Sequence, residues 1–484
     1  MQLQDVFKHI EKVSKDLHSD AYIVGGFVRD FWLCNNSRKD IDFVVSGSGL
    51  VFAKKFDEAM KEVGSLVEFP DFDTARYVFE EADGGLVLEF AGARKETYAP
   101  HSRKPKVEAT TLDEDLLRRD FTVNAMALPV AAFTGQSISQ GGIKKKITDP
   151  CNGQKDLKDK VLRTPLDPDV TFSDDPLRML RALRFAAQLN FSIDPATLEA
   201  IHRNRERIKI VSAERIQEEL FKLLATKEPS IGLHLMFHTG LMDLVLPEVS
   251  ALDGVEDVFG HQHKNNLIHS IKVTDNVAEQ SNNVWLRLAG ILHDIGKPGT
   301  KQFVSKIGWT FHAHEHLGKK MVYALAKRLR FSKDLTDYLA KLIRWHLQPI
   351  ALMDDGITDS AVRRLVVTMG DLLDDLMILG RSDITTGNPY KKEKRLKNYD
   401  HLKAKIAEVL EKDKLRAFQS PVRGDQIMSA CKLKPGPTVG KIKEAIEEAI
   451  LDGVIPNEYE AAKAYFDKIK ASYLKDVQAW ERVS

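Results

Sequence analysis

The sequence predicts an α/β head followed by an all-helical remainder, and three observations carry that prediction. Between residue 21 and about 130, short apolar or β-branched runs alternate with helix-like segments. AYIVGG is a strand ending in glycines, FVRDFWL opens a helix, and IDFVV and LVLEF are further strands. After Pro165 the apolar period becomes helical, with Leu177, Leu180, Leu183, Arg184 and Ala187 in one run and Ile216, Leu220, Leu223 and Leu224 in the next. Beyond it the pattern predicts no strand except a hairpin near 302–311. The third observation is length: 484 residues, at roughly 100–200 per domain, make about three units.

Ahead of the head, Val6, Ile10, Val13 and Leu17 share one face of an amphipathic helix. Gly, Pro, Asn and charge cluster at 144–156, 246–260 and 385–394. These breaks divide the chain into a head (20–150), a helical neck (151–250), a third unit (251–390) and a helical tail (391–484). No repeat with a period of 20–50 residues is visible.

A composition of 43% apolar and 29% charged residues is globular and excludes collagenous or largely disordered chains. Lys and Arg number 71 against 70 Asp and Glu, so no global positive field gathers nucleic acid and any such binding uses a local surface. One such surface is 388–416, with ten cationic and five acidic residues. It suits a phosphate backbone or, equally, a solvated helix face. Cys34, Cys151 and Cys431 lie far apart without a CxxC, which excludes a disulfide scaffold and a cysteine zinc site and fits a reducing compartment. No apolar span of membrane length and no secretory h-region occurs, so the expected location is cytoplasmic, with no membrane partner.

Two short motifs carry chemistry in the head. Val24-Gly25-Gly26-Phe27-Val28-Arg29-Asp30 places two glycines between a strand and a helix. Backbone amides can approach a phosphate there, with Arg29 adding a charged contact; close packing of the turn would equally explain the glycines. After a gap of nine residues, Asp40 and Asp42 alternate with Ile41 and Phe43, so both carboxylates share one strand face. Hard oxygens so placed can hold Mg²⁺, although a solvent-facing edge strand would explain the pair taken alone.

Taken together, GGxVRD, the gap and DxD resemble the signature of the polymerase-β-like nucleotidyltransferases, and in particular the class II tRNA nucleotidyltransferase and bacterial poly(A) polymerase family. Leu117-Arg118-Arg119-Asp120-Phe121-Thr122-Val123-Asn124-Ala125 is similar to the family's RRDFTxNA motif. The resemblance implies that Arg119 contacts the nucleotide while Asp120 and Asn124 order the ribose and backbone. Asp149-Pro150 through Asp156-Leu157 resembles the DPxxGxxDL link to the neck. Ser173 through Ala187 resembles EDPLRxLRALRFAA with Asp174 in place of Glu, and Ala213-Glu214-Arg215-Ile216 completes the series. Residues 20–250 are thus covered in order. Leu88-Glu89-Phe90-Ala91-Gly92-Ala93-Arg94 resembles the family strand that supplies a third catalytic carboxylate, which implies that role for Glu89; a simple strand glutamate would equally explain it.

On a helix, Asp175 and Arg178 would share a face and present an acceptor beside a donor. That edge complements cytosine and adenine, each with an exocyclic amine beside a ring acceptor, and opposes uracil and guanine. Arg181 would support the pair. The basic loop His101 to Lys106 has no definite role.

The third unit holds His269, the adjacent His293 and Asp294, His314, His346 and Asp383. Imidazole suits transition metals, and a carboxylate beside it can bridge two of them. LAGILHDIGKP and the order H…HD…H…H…D resemble the HD superfamily of metal-dependent phosphohydrolases, with His312 and His316 as neighbouring alternatives to His314. Without thiolates, Mn²⁺, Ni²⁺, Co²⁺ or Fe²⁺ suits this set better than structural zinc.

The expected function is addition of CMP, CMP and AMP to the 3′ end of tRNA from CTP and ATP, with Mg²⁺ at the head. A metal-dependent phosphohydrolase is expected in the third unit. The alternatives are CC-addition, A-addition, poly(A) synthesis, or a nucleotide phosphohydrolase with a regulatory nucleotide-binding head. No protein partner is readable.

Overall fold

The computed structural model describes residues 3–35, 40–61, 63–80, 85–97, 106–134, 140–258, 261–262, 264–354, 358–413 and 420–482. Arg38 and Lys39, residues 101–105 of the basic loop and the 414–416 end of the basic stretch lie outside them. Two compact units divide at Pro247 and Glu248.

The first unit is built on a six-stranded mixed sheet of β1 (Ala21–Val24), β2 (Asp40–Val45), β3 (Ser65–Phe69), β4 (Thr74–Val78), β5 (Val87–Gly92) and β6 (Ala127–Pro129), in the order β3-β4-β5-β2-β1-β6. Only β2 and β5 pair in parallel. Ile41, Phe43 and Val45 are buried, and Phe43 stacks on Phe90 with ring centroids 5.1 Å apart. That aromatic layer packs under α1 (Leu3–Asp16) and α3 (Gly49–Met60), which contribute Phe7, Phe52 and Phe56. On the opposite face, Leu116 of α4 (Leu112–Leu117) joins a cluster of Val24, Val44, Ala93 and Ala127. The short α2 (Gly26–Trp32) follows β1 directly.

The neck contains α5 (Pro168–Asp174), α6 (Leu177–Leu189) and α7 (Ala213–Leu224). Its leucine pattern is buried as expected, with Leu180, Leu183, Leu220 and Leu223 nearly inaccessible. One strand pair escaped the pattern: Val161–Leu162 and Ser192–Ile193 pair in parallel, each too short to display a period of two.

The second unit packs α8 (Asn266–Ala278), α9 (Val284–Leu292), α10 (His314–Leu329), α11 (Lys333–Trp345) and α12 (Leu373–Ser382). The hairpin expected near 302–311 is present as Gln302–Val304 and Gly308–Thr310. A long helix, α13 (Pro389–Asp413), precedes three helices with their own core around Val422, Ile427, Ile442, Ile446 and Phe466. No helix of the described residues is long and apolar enough to cross a membrane.

Candidate functional sites

Period two along β2 puts Asp40, Asp42 and Val44 on the face opposite the aromatic core. Val44 is roofed by Leu116, and beyond that cover Asp42 opens onto a cavity of about 310 Å³. Parallel register places Glu89 beside Asp42, and both line the cavity, whereas Asp40 does not. Glu89 accepts a 2.8 Å hydrogen bond from Arg76 Nε. That bond and the Glu89 charge raise the Arg76 pKa, with further contributions from Asp42 and Asp40. The field at this edge is therefore negative, and its donors are hard oxygens, a set that fits Mg²⁺. Among the described residues the three carboxylates do not converge into one triad of ligand atoms.

Gly25 turns the chain into α2 with φ +70°. A Cβ there would meet Asp42 Oδ2 at 3.3 Å and Arg119 Nη1 at 3.4 Å, so the turn brings bare backbone against both groups. Gly26 is the first residue of α2.

The basic wall of the cavity is set by a residue that sequence reasoning missed. Asp115, fully buried, takes Arg118 Nε and Nη2 on Oδ1 at 3.1 and 2.7 Å, and Arg119 Nε and Nη2 on Oδ2 at 3.3 and 3.1 Å. Burial alone would raise its pKa, but the two guanidinium charges bring it below the usual value. The i, i+3, i+4 spacing was the available signal.

One expected role changes in the structure. Arg29 does not face a phosphate: it is fully buried, donating to Asp30 Oδ1 at 2.8 Å and Asn124 Oδ1 at 2.9 Å, with its guanidinium over Phe185. It ties α2 to the RRD segment and the neck, because α2 turns that position inward. Asp120 likewise spends its oxygens on protein, accepting from Phe121 N–H, Asn124 Nδ2 and, at 2.9 and 2.5 Å, from Arg181. Burial opposes its ionisation, but the Arg181 charge and these hydrogen bonds hold its pKa at about 2. Asp120 thus orders the backbone and Arg181, and it also lines the cavity. Arg181 also lies 3.7 Å from buried Glu219, which pairs with Arg184 at 2.7 Å.

Asp175 and Arg178 both line the cavity, but not as an i,i+3 pair on one helix. Asp175 is extended (φ −134°, ψ 99°) between α5 and α6. Pro176 is the reason, since the residue before a proline is excluded from the helical region. Asp175 Oδ1 accepts Leu177 N–H at 3.2 Å, and Oδ2 accepts Arg215 Nη2 at 2.8 Å. Arg215, forty residues on, therefore fixes the direction of this carboxylate, which no local pattern announces.

In the second unit the structure brings all six expected residues together. His269, His293 and Asp383 form one triad and Asp294, His314 and His346 another, the ligand atoms of each lying within 4.8 Å of one another. Asp294 joins them: Oδ2 is 3.3 Å from His293 Nε2, and Oδ1 is 3.3 Å from His314 Nε2. His312 and His316 are exposed, which leaves His314 as the member of the centre.

Backbone carbonyls aim the imidazoles. The Nδ1 atoms of His293, His314 and His346 each lie 2.8 Å from the carbonyl three residues earlier, at Gly290, Phe311 and Ile343, and that of His269 lies 2.8 Å from Thr385 Oγ1. Each Nε2 is thereby directed into the centre, the tautomer a metal needs. His293 Nε2 is buried with no hydrogen-bond partner, an orphan atom that a cation would satisfy.

The charges agree. Burial would lower the His293 pKa, but Asp294 and Asp383 raise it to about 10, while burial and the neighbouring imidazoles push His346 down to about 4. Asp294, although buried, is held well below the carboxylate range by His293, His314 and Lys297. The nitrogen and carboxylate donor set fits one or two divalent transition ions. Lys297, whose ammonium meets Asp294 Oδ2, was not singled out from the sequence.

Comparison with known proteins gives a consistent picture. Residues 21–163 match the poly A polymerase head domain, 190–252 the probable RNA and SrmB-binding site of polymerase A, and 266–385 the HD domain. The chain is 33% identical over 341 residues to the multifunctional CCA protein of Pseudomonas fluorescens, covering 67% of this chain and 74% of that one. It is 29% identical over 461 residues to the CC-adding tRNA nucleotidyltransferase of Thermus thermophilus, covering 91% and 92%. Its fold is similar to that of a CCA-adding enzyme in an apo form, with a TM-score of 0.62 and 21% identity over 97% of this chain and 96% of that one.

Proposed function

Because this chain belongs to the tRNA nucleotidyltransferase and poly(A) polymerase family, we propose that it adds the whole CCA sequence to tRNA from CTP and ATP. The chain is a nucleotidyltransferase; the extent of addition is the inference. We assign transfer to the head (20–150), base selection to the neck (151–250), phosphoester hydrolysis to the HD unit (251–390) and no chemistry to the tail (391–484).

The observation that carries the reading is one cavity in which Asp42, Glu89, Arg119, Asp175 and Arg178 meet. Asp40, Asp42 and Glu89 would hold Mg²⁺. When bound, that ion lowers the effective pKa of the primer hydroxyl and neutralises charge on the triphosphate. Arg119, held by Asp115, would bind phosphate, and the Gly25 and Gly26 backbone would let it approach. The 3′ oxygen then displaces pyrophosphate from the α-phosphorus. Asp175 would accept the exocyclic amine of cytosine or adenine while Arg178 donates to the neighbouring ring acceptor. Arg181 and Asn124, both fixed on Asp120, would hold the neck motif against the head.

The test uses tRNA transcripts ending before CCA, after C and after CC, with each nucleotide offered alone. Full addition requires CMP on the first two and AMP on the third. Failure of the last step gives the CC-adding reading, which the near full-length likeness to the Thermus protein favours. Activity on the third transcript alone makes the enzyme A-adding, and untemplated AMP runs on any RNA make it a poly(A) polymerase.

Base choice gives a second prediction. Asp175→Ala is expected to lower the CTP over UTP preference by about tenfold or more, since a buried hydrogen bond is worth on the order of 1–3 kcal/mol. Arg215→Ala should lower it in the same direction by freeing Asp175. Single-nucleotide incorporation ratios measure both, and unchanged ratios in Asp175→Ala would end the template assignment.

For the second unit we infer a phosphohydrolase acting on phosphoesters such as 2′,3′-cyclic nucleotides or a damaged RNA end. Mn²⁺, Ni²⁺, Co²⁺ or Fe²⁺ would be held by the two triads that share Asp294.

A further inference from the structure

Two consecutive helices of the second unit leave a gap between them. After α12 the chain turns over 383–388 and continues as α13, and a cavity of about 710 Å³ lies between the pair, larger than the 310 Å³ cavity at Asp42. Leu373, Met377 and Ile378 of α12 and Ile406 of α13 give it apolar walls. The face of α13 that carries Tyr399 and Ile406 also carries Asp400 and Lys403. An apolar stripe would close the seam between the helices, and two charged side chains in that stripe keep it open.

The polar groups of the lining are sorted by position. Tyr399 is buried, and its hydroxyl has no hydrogen-bond partner. That hydroxyl lies against Gly380 of α12, where an added Cβ would strike it, and so stands beside Arg381. Lys403 follows Tyr399 by one turn on the same face of α13. Arg381 gives Nη1 to Asp400 at 2.6 Å, and among the described residues Lys403 forms no ion pair. Three donors therefore gather at the C-terminal end of α12. The other carboxylate of the lining, Asp374, is in the first turn of that helix, about 10 Å from Arg381 at 1.5 Å per residue. Met377 and Ile378 occupy the stretch between. A buried hydroxyl left unpaired is destabilising, and an acceptor atom in the cavity would pair it.

We propose that this cavity binds a small organic anion, with its charged head at Tyr399, Arg381 and Lys403 and its apolar body along Met377 and Ile378. The volume and the place between helices are those of small-molecule sites. Charge sets the class of ligand. At the head end the one carboxylate, Asp400, is already engaged by Arg381, so an anionic acceptor is matched there and a cationic head is opposed. The site lies wholly in the second unit and shares no residue with either triad, so it needs nothing from the hydrolytic reading.

The test uses the full chain and anilinonaphthalene sulfonate, a dye with an apolar ring system and one anionic group. Wild type should show a saturable rise in dye fluorescence, reversed by octanoate at a concentration at least tenfold below that of octanol. Met377→Trp, which fills the cavity, should remove that signal while the protein still melts cooperatively and adds nucleotides within about twofold of wild type. Lys403→Glu, on an exposed side chain, should erase the preference for octanoate and leave displacement by octanol unchanged. Tyr399→Phe keeps the ring. It should weaken octanoate severalfold and raise the melting temperature of the free protein, because the unpaired hydroxyl is gone. A dye signal absent from wild type, or unchanged in Met377→Trp, overturns the proposal, as does equal displacement by octanoate and octanol. A preference unmoved by Lys403→Glu overturns it as well. So does a wild-type dimer that Met377→Trp dissociates, since the cavity then belongs to a second copy of the chain.

Discussion

Asp42→Ala is expected to cut nucleotide addition more than about 100-fold, since it removes a carboxylate ligand for the ion that stabilises the leaving triphosphate. The protein should still fold. Asp42 is the third residue of β2, paired with Val24 of β1 and Glu89 of β5, on the face away from the Phe43 and Phe90 stack, and alanine preserves the strand pairing. What changes is the cavity, which loses one carboxylate while Glu89 keeps its bond to Arg76 and Arg118 and Arg119 keep theirs to Asp115. Asp40→Ala should also abolish transfer if the ion is shared across the strand face. Primer extension and thermal melting in parallel measure both. Residual extension above a few per cent of wild type in Asp42→Ala would sink the metal assignment, and a collapse of the melting transition would place Asp42 in the fold.

Some of this site is legible in the sequence and some is not, for reasons that lie in particular residues. The faces of β2 are legible because a period of two survives in six residues, and β5 beside it reads equally well. The edge strand β3 is not, since most of its residues are exposed and no apolar alternation marks it. Asp175 and Arg178 were placed on one helix by their spacing, and Pro176 breaks that geometry while leaving both at the cavity. Arg29 carries the motif expected of a phosphate ligand, but its place in α2 turns it toward Asn124, ninety-five residues away. Arg215 and Glu219 act through partners thirty-five to forty residues distant, and one sequence contains no signal for such pairings. Asp115 is different: its two arginines are one turn away, so the clamp was readable as an ion pair although not as the support of a binding wall.

His293→Ala combined with Asp294→Ala is expected to abolish phosphoester hydrolysis and leave nucleotide addition within about twofold of wild type, because the first pair of ligands lies in the unit after Glu248 and the transfer residues lie before Pro247. The double change takes one imidazole from the first triad and the shared carboxylate from both, so neither keeps three ligands. It also strips Lys297 of its partner and leaves space among buried groups, so hydrolysis alone would not separate lost chemistry from lost structure. Metal binding provides the second readout. An ion bound only by the folded state at 100 times its dissociation constant stabilises by about 2.7 kcal/mol, so added Mn²⁺, Ni²⁺, Co²⁺ or Fe²⁺ should raise the melting temperature of wild type and leave that of the double variant unmoved. His269→Ala, which lies at the edge of the cluster and is partly exposed, should show the same loss with a smaller structural cost. The sign of the pH effect on binding follows from the donor set: the four imidazoles bind an ion in their neutral form, so protons compete with it and apparent affinity should rise with pH. Equal hydrolysis by the double variant, or none by wild type whose melting temperature has risen with metal, would refute the phosphohydrolase assignment; survival of hydrolysis with loss of nucleotide addition would exchange the roles of the two units.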